Sequence, residues 1–392
     1  MTKNGLFGAL ALTTALTSAA GIAAAEDTLK LGYIGGLTGY LAPYDQPSLA
    51  GVEVAVDEIN KAGGIGGTMP IELIVRDMRS ETAQAFVVAQ ELVDEGIDVL
   101  ITPCDVDPSI AAGQVAQAAE VPAVTSCAST PTLPGVVGDY MFSNYPADNL
   151  QAAVLAQYAT EQGYKTAYVL LSPETPYTER LPEYFMVAFE AMGGKILGVT
   201  EYSMGQQDFS AEVTKISGLD ALPDVIMTAA YEPDFPAFLT QLRNAGIDTP
   251  VLGSDGIDSP TTLGLGPIAE GVVFTNAGYA DEGSDLAAFY DAFETFHGSA
   301  AESAFTATGY DIVKVIAQAV QDAGSTDGPA IRDAWDAVKD VPGATGTITF
   351  AGGNRVPLRA VALNKVTGGE LDHVGTFVPD AASVPGPDEG DH

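Results

Sequence analysis

Basic and reactive side chains are what this chain has least of. It carries 16 Lys and Arg against 52 Asp and Glu, a formal charge of −36. Nucleic acid and anionic membrane are gripped through a Lys/Arg surplus, so the balance argues against both as partners. Three histidines are present, His297, His373 and His392, none in a nucleophile motif. No G-x-S-x-G occurs, which excludes a serine-hydrolase elbow. Past residue 25, no stretch approaches the roughly 18 uncharged apolar residues of a membrane-spanning helix. The acidic excess reads as a solvated shell that keeps a soluble chain monomeric.

What is present first is an export signal. Lys3 supplies a positive start, Leu6 to Ile22 an apolar core, and Ala23-Ala24-Ala25 a small-residue cleavage pattern. This predicts a cleaved signal peptide over 1–25 and an exported product, with no Cys at the cut to carry a lipid anchor. The remaining 367 residues suit two domains with substantial cores. The 2 cysteines of an exported chain invite a disulfide. Cys104 and Cys127 end what read as neighbouring parallel strands, ~4.8 Å apart, inside the ~4.4–6.8 Å Cα range a bridge accepts. Two buried free thiols are the alternative.

Short apolar runs alternate with helical periodicity. Strands are expected at 29–34, 69–76, 97–102 and 121–125, with helices at 47–59, 82–93 and 109–118. A second series follows, with helices at 148–161, 179–192, 210–217 and 236–245 and strands at 166–171, 196–202, 225–228 and 251–253. This alternation predicts an α/β fold of parallel sheets with helices on both faces. Because the series runs twice, with a break at 140–146, two doubly wound parallel-sheet lobes are expected. Past Gly271 a strand, then mostly helix to Val338, then short strands imply a chain returning to both lobes. Crossings near Tyr145, Gly278 and Gly343 give a three-crossing hinge. Lobe 1 is expected over 26–145 plus 278–343, and lobe 2 over 146–277 plus 344–378. A Pro-, Gly- and Asp-rich tail at 379–392 is expected to be disordered.

Ligands of open parallel sheets sit outside the carboxyl ends of the strands. Val99-Leu100-Ile101-Thr102-Pro103-Cys104-Asp105 and Val121 to Ser129 are two such ends, and they nominate Asp105, Cys127 and Ser129. Asp105 also reads as a cap for the helix beginning near Ser109, and Ser129 as a turn residue before Pro131. Asp105 with Asp107 could meet a hard cation, but no further ligands stand at motif spacing, so no metal or other cofactor is expected. Gly63-Gly64-Ile65-Gly66-Gly67 lies between a helix and a strand, the wrong order for a phosphate loop. Tyr44, Tyr177, Tyr231 and Phe305 stand in or beside loops after strands or at helix starts. Each alone reads first as a packed core aromatic.

The run Leu31-Gly32-Tyr33-Ile34-Gly35-Gly36-Leu37-Thr38-Gly39, followed by Asp57-Glu58-Ile59-Asn60-Lys61-Ala62-Gly63-Gly64, resembles the leucine/isoleucine/valine-type periplasmic binding proteins, the solute receptors of ABC importers. Asp208-Phe209-Ser210, Gln241 to Gly246, Gly253-Ser254-Asp255-Gly256 and Ala269-Glu270-Gly271 extend the match in order. The resemblance implies the type I periplasmic binding protein fold. It implies a non-enzymatic receptor that passes a small amino-acid-like, amine or amide ligand to membrane permease subunits. It also implies that Tyr44, Tyr177, Tyr231 and Phe305 cover the ligand. Asp255 would pair its ammonium, and Ser129 with backbone N–H groups near Cys127 would hold its carboxylate. Three positions depart from the family's pattern. Asp105 stands where Ser is usual, Asp45 where Gly is usual, and Arg79 where some relatives carry the partner of the Cys104 position. An ionised Asp105 would repel a ligand carboxylate. Either an amino acid is held in an altered way, or the ligand carries extra positive or donor groups. A ligand-sensing regulator on the same fold, or an enzyme on a small polar substrate, stays open at this point.

Overall fold

The computed structural model describes residues 1–2, 28–357 and 359–389. From residue 3 onward, the expected leader lies outside the described residues. Lobe 1 opens with β1 (Leu29–Gly35), α1 (Ala42–Lys61), β2 (Ile71–Asp77), α2 (Thr82–Asp94) and β3 (Val99–Thr102). It continues with α3 (Val106–Ala118), β4 (Ala123–Thr125), α4 (Leu133–Val137) and β5 (Met141–Ser143). Every residue of β3 and β4 is buried, as a sheet covered on both faces requires. All strands are parallel, in the order β2-β1-β3-β4-β5. The order reverses between β1 and β3, which opens a crevice at their carboxyl ends.

Lobe 2 repeats the pattern. It runs through α5 (Asp148–Glu161), β6 (Thr166–Leu171), α6 (Pro176–Ala191), β7 (Lys195–Glu201) and α7 (Ser210–Ser217). Then come β8 (Val225–Thr228), α8 (Asp234–Asn244), β9 (Val251–Gly253), α9 (Pro260–Gly264) and β10 (Val273–Asn276). The order β7-β6-β8-β9-β10 matches that of lobe 1, so the two crevices are equivalent.

The chain then returns to lobe 1 as α10 (Asp285–His297), α11 (Phe305–Ala323), α12 (Gly328–Asp336), β11 (Val341–Gly343) and β12 (Gly346–Ile348). It ends in lobe 2 with β13 (Val361–Thr367) and β14 (Glu370–Phe377), an antiparallel hairpin added to β10. The sheet of lobe 2 is therefore mixed rather than wholly parallel. On β14 exposed and half-buried residues alternate, the signature of a strand with one solvated face.

Helices α1 and α11 cross with almost no side chain between them. A Cβ on Gly51 would strike the Thr306 carbonyl, and one on Gly309 the Ser48 carbonyl. Trp335 stacks on Phe142 at 4.8 Å and meets Phe350 edge-on at 6.0 Å. Phe350 thus belongs to the core of lobe 1, and the third crossing lies at 351–360 rather than near Gly343. The other crossings lie between β5 and α5 and between β10 and α10. Arg359, in the third crossing, donates to the Asn144 carbonyl of the first at 2.5 Å. It also reaches Thr345 and the Asp311 carboxylate at 3.5 Å.

The tail corrects its expectation as far as Glu389. Residues Ala381–Ser383 form a 3-10 turn. Beyond it, Asn149 donates to the Pro385 carbonyl at 2.9 Å, Tyr184 to that of Pro387 at 2.6 Å and Arg180 to that of Glu389 at 3.2 Å. Side-chain donors on α5 and α6 thus fix a segment that has no regular structure of its own beyond the turn. Among the described residues, no helix is long and apolar enough to cross a membrane.

Candidate functional site

The crevice of lobe 1 is assembled around a buried carboxylate. Asp45 on α1 accepts hydrogen bonds from Gly36 N at 2.6 Å and Cys104 N at 2.9 Å, tying the ends of β1 and β3 together. Burial lifts its pKa to about 7 against the pull of those two N–H groups. The loops after β3 and β4 are joined by a Cys104–Cys127 disulfide with a Cα separation of 4.6 Å. Asp105 and Ser129, on these two loops, both line the cavity. Asp105 caps α3, its Oδ1 accepting from Val106 N at 2.8 Å, while Oδ2 accepts from Tyr40 OH at 3.4 Å. It both caps the helix and faces the crevice. Its pKa rises to about 6, from burial first and then the neighbouring Asp107 charge, with the Val106 N–H opposing.

The facing wall comes from lobe 2. Tyr177 sits in the first turn of α6, whose cap Thr175 accepts from Thr178 N at 3.4 Å. The Tyr177 hydroxyl lies 2.6 Å from the Ser254 hydroxyl and donates to Asp255 Oδ1 at 3.2 Å. It accepts from Gly256 N at 2.9 Å. Asp255 follows β9 and is buried, and burial pushes its pKa to about 7. Tyr231 follows β8, and Phe305 opens α11.

Contacts from both lobes close the space. Tyr44 OH donates to the Gly256 carbonyl at 3.0 Å and accepts from Glu232 N at 3.0 Å. Its ring meets Tyr231 and Phe305 edge-on at 5.7 and 5.6 Å. Asp258 in lobe 2 accepts from Ala304 N, beside Phe305, at 2.7 Å. The cavity between the two walls measures about 40 Å³, a few waters on a scale where one takes roughly 10–15 Å³. All eight residues nominated from sequence, Tyr44, Asp105, Cys127, Ser129, Tyr177, Tyr231, Asp255 and Phe305, line it.

Sequence reasoning does not reach the layer behind this lining. Asp148, in the first turn of α5, is fully buried, its carboxylate beside the Ser129 side chain. Burial and the nearby Asp255 charge raise its pKa, with the Ser129 side chain opposing. Glu232 and Asp258 also escape it, because they meet the other lobe only on closure, and so does Tyr40, which reaches Asp105 within lobe 1 from outside any strand-end motif. Outside the cavity, Asp105 also borders a hollow of about 460 Å³ that carries Asp107, Glu174, Glu232 and Asp234.

Two equivalent crevices closing on one cavity define a two-lobed binding protein. The chain belongs to the periplasmic binding proteins, whose family model matches residues 28–370. It is 28% identical over 349 residues to the Leu/Ile/Val-binding protein BraC3 of Rhizobium johnstonii, covering 88% of this chain and 94% of that one. It is also similar to the branched-chain amino acid transporter substrate-binding protein LivJ of Streptococcus pneumoniae, solved with isoleucine. That match has a TM-score of 0.82 and 27% identity, covering 90% of this chain and 100% of that one. A solute-binding protein of R. palustris, solved with benzoate, shares the fold with a TM-score of 0.79 at 19% identity, covering 90% and 97% of the two chains.

Proposed function

We propose that this protein is a periplasmic solute receptor, freed of residues 1–25, that captures a small amine-bearing ligand between its lobes and delivers it to the permease of an ABC importer. The observation that carries this reading is the cavity itself, lined from both lobes by four aromatic rings and two carboxylates. Rings and carboxylates suit a cationic nitrogen, through cation–π and charge-assisted contact. In this reading Asp255 pairs the ammonium, the Tyr177 hydroxyl orients Asp255, and Tyr44, Tyr231 and Phe305 cover the apolar part. Asp105, Cys127 and Ser129 meet the other end. In this reading the ligand is bound and released without a bond being broken, which kinship with transport receptors supports. The protein acts as a monomer and uses no cofactor. Kinship with Leu/Ile/Val-binding and LivJ-type proteins supports the transport role.

Small-angle scattering tests the reading. A solute that raises the melting temperature should also reduce the radius of gyration, because ligand between hinged lobes favours the closed state. An unchanged radius at saturation, for every solute that binds, would overturn it. Asp255→Ala should weaken binding of an amine ligand by roughly 2–5 kcal/mol, because it leaves a buried charge unpaired.

A further inference from the structure

We infer that the ligand is a compact organic cation without a carboxylate, such as a diamine or amidine, with N–H donors directed at both Asp255 and Asp105. This rests on the receptor reading above and deepens it.

The cavity has carboxylates on both of its walls. Asp255 belongs to lobe 2 and Asp105 to lobe 1, and no Lys, Arg or His is among the residues that line the space. A helix N-terminus can receive an anion, and α3 begins at this wall. That end is already filled by the Asp105 carboxylate on Val106 N at 2.8 Å. A ligand carboxylate placed there would face a carboxylate. Beside Ser129, the buried Asp148 adds a third acid. Arg359, a buried cation of the hinge, is committed to the Asn144 carbonyl, Thr345 and Asp311. The outer hollow repeats the sign, with Asp107, Glu174, Glu232 and Asp234 and no basic residue in its lining. An anion or zwitterion thus meets like charge in the adjoining hollow and at the lobe 1 wall. A cation with a donor at each end meets an acceptor at each end and aromatic faces between.

The experiment is calorimetric titration and thermal shift of the full chain with 1,3-diaminopropane, acetamidine, n-propylamine and L-leucine. Diaminopropane or acetamidine should bind and L-leucine should not. Asp105→Asn keeps an N-cap of comparable strength, so α3 should survive, which a melting curve checks. That variant should lose about tenfold or more in diaminopropane affinity, ~1.4 kcal/mol, while changing n-propylamine affinity much less. Asp255→Asn should weaken all the amines. If L-leucine binds more tightly than every cation, or no cation binds, the cation assignment is overturned while the receptor reading stands. If solutes bind without compaction, it is the receptor reading that fails.

Discussion

At the scale of single residues, the site is governed by the cost of burying a carboxylate away from any cation. Asp45 and Asp255 are pushed to about 7 and Asp105 to about 6, each chiefly by burial. A carboxyl whose folded pKa lies above its unfolded value of about 3.9 binds more protons when folded. Its contribution to stability is therefore largest at low pH and is lost as pH rises toward the folded pKa. Calorimetry of the unliganded protein should show the melting temperature falling from pH 5 to 7, and Asp255→Asn should flatten that slope. An equal slope in the variant would clear Asp255 of any part in it. A bound cation reverses the sign, so diaminopropane should bind more tightly at pH 8 than at pH 6. The groups facing Asp255 are Asp148, Asp258, Gln151 and the tyrosines 44, 145 and 177. None of them is a cation that would mask this. Arg359 is the opposite case, a buried cation paired at the hinge. Arg359→Met should cost about 3–5 kcal/mol, because Asp311 is left uncompensated. Adding Asp311→Asn should recover part of the loss in a double-mutant cycle read by urea melts. Asp105 and Ser129 are legible in the amino-acid order alone, because apolar runs that stop mark the strand ends. Asp148 is not, since the groups that act on it, Ser129 and Asp255, are distant along the chain.

At the scale of elements, apolar runs such as Val99–Thr102 and Val225–Thr228 are readable because a strand covered on both faces needs no polar residue. The three residues of β5 and the five of α4 are too short to show a period. Gly51 and Gly309 give no signal as contacts, since a glycine inside a helical pattern does not name its neighbour. Their role is the close crossing of α1 and α11. Gly309→Ala should destabilise by about 1–3 kcal/mol through overpacking. Gly264→Ala on α9, where a Cβ meets nothing within 4 Å, should be neutral in the same denaturant melts. Equal effects at both sites would mean the helices part without cost. The bridge between the loops after β3 and β4 closes a separation of 23 residues, worth about 3 kcal/mol in the chain-entropy model. Denatured, unreduced protein should accordingly yield no titratable thiol, and reduction should lower the midpoint of unfolding.

At the scale of the whole molecule, the duplication is legible because the strand–helix series runs twice, and both sheets do share one strand order. The third crossing is misplaced by the sequence pattern because the chain past Gly343, from β12 onward, reads as the start of lobe 2, whereas Phe350 packs on Trp335. What no local pattern could reveal is the contact between lobes, since it exists only after closure. Tyr44 holds a large share of it. Its hydroxyl bonds to Gly256 O and Glu232 N, and its ring bears on Tyr231 and Phe305. Opening the cleft must break both hydrogen bonds, each worth about 0.5–1.5 kcal/mol. Tyr44→Phe keeps the ring and removes the hydroxyl, so it should move the open–closed balance by about 1–3 kcal/mol, roughly 5- to 150-fold, toward open. Scattering on unliganded Tyr44→Phe should then give a larger radius of gyration than wild type. A saturating ligand should bring the two proteins to the same compact value, because the ligand replaces the lost bridge. If the unliganded radii are equal, Tyr44 does not hold the lobes together, and the Asp258–Ala304 contact becomes the place to cut.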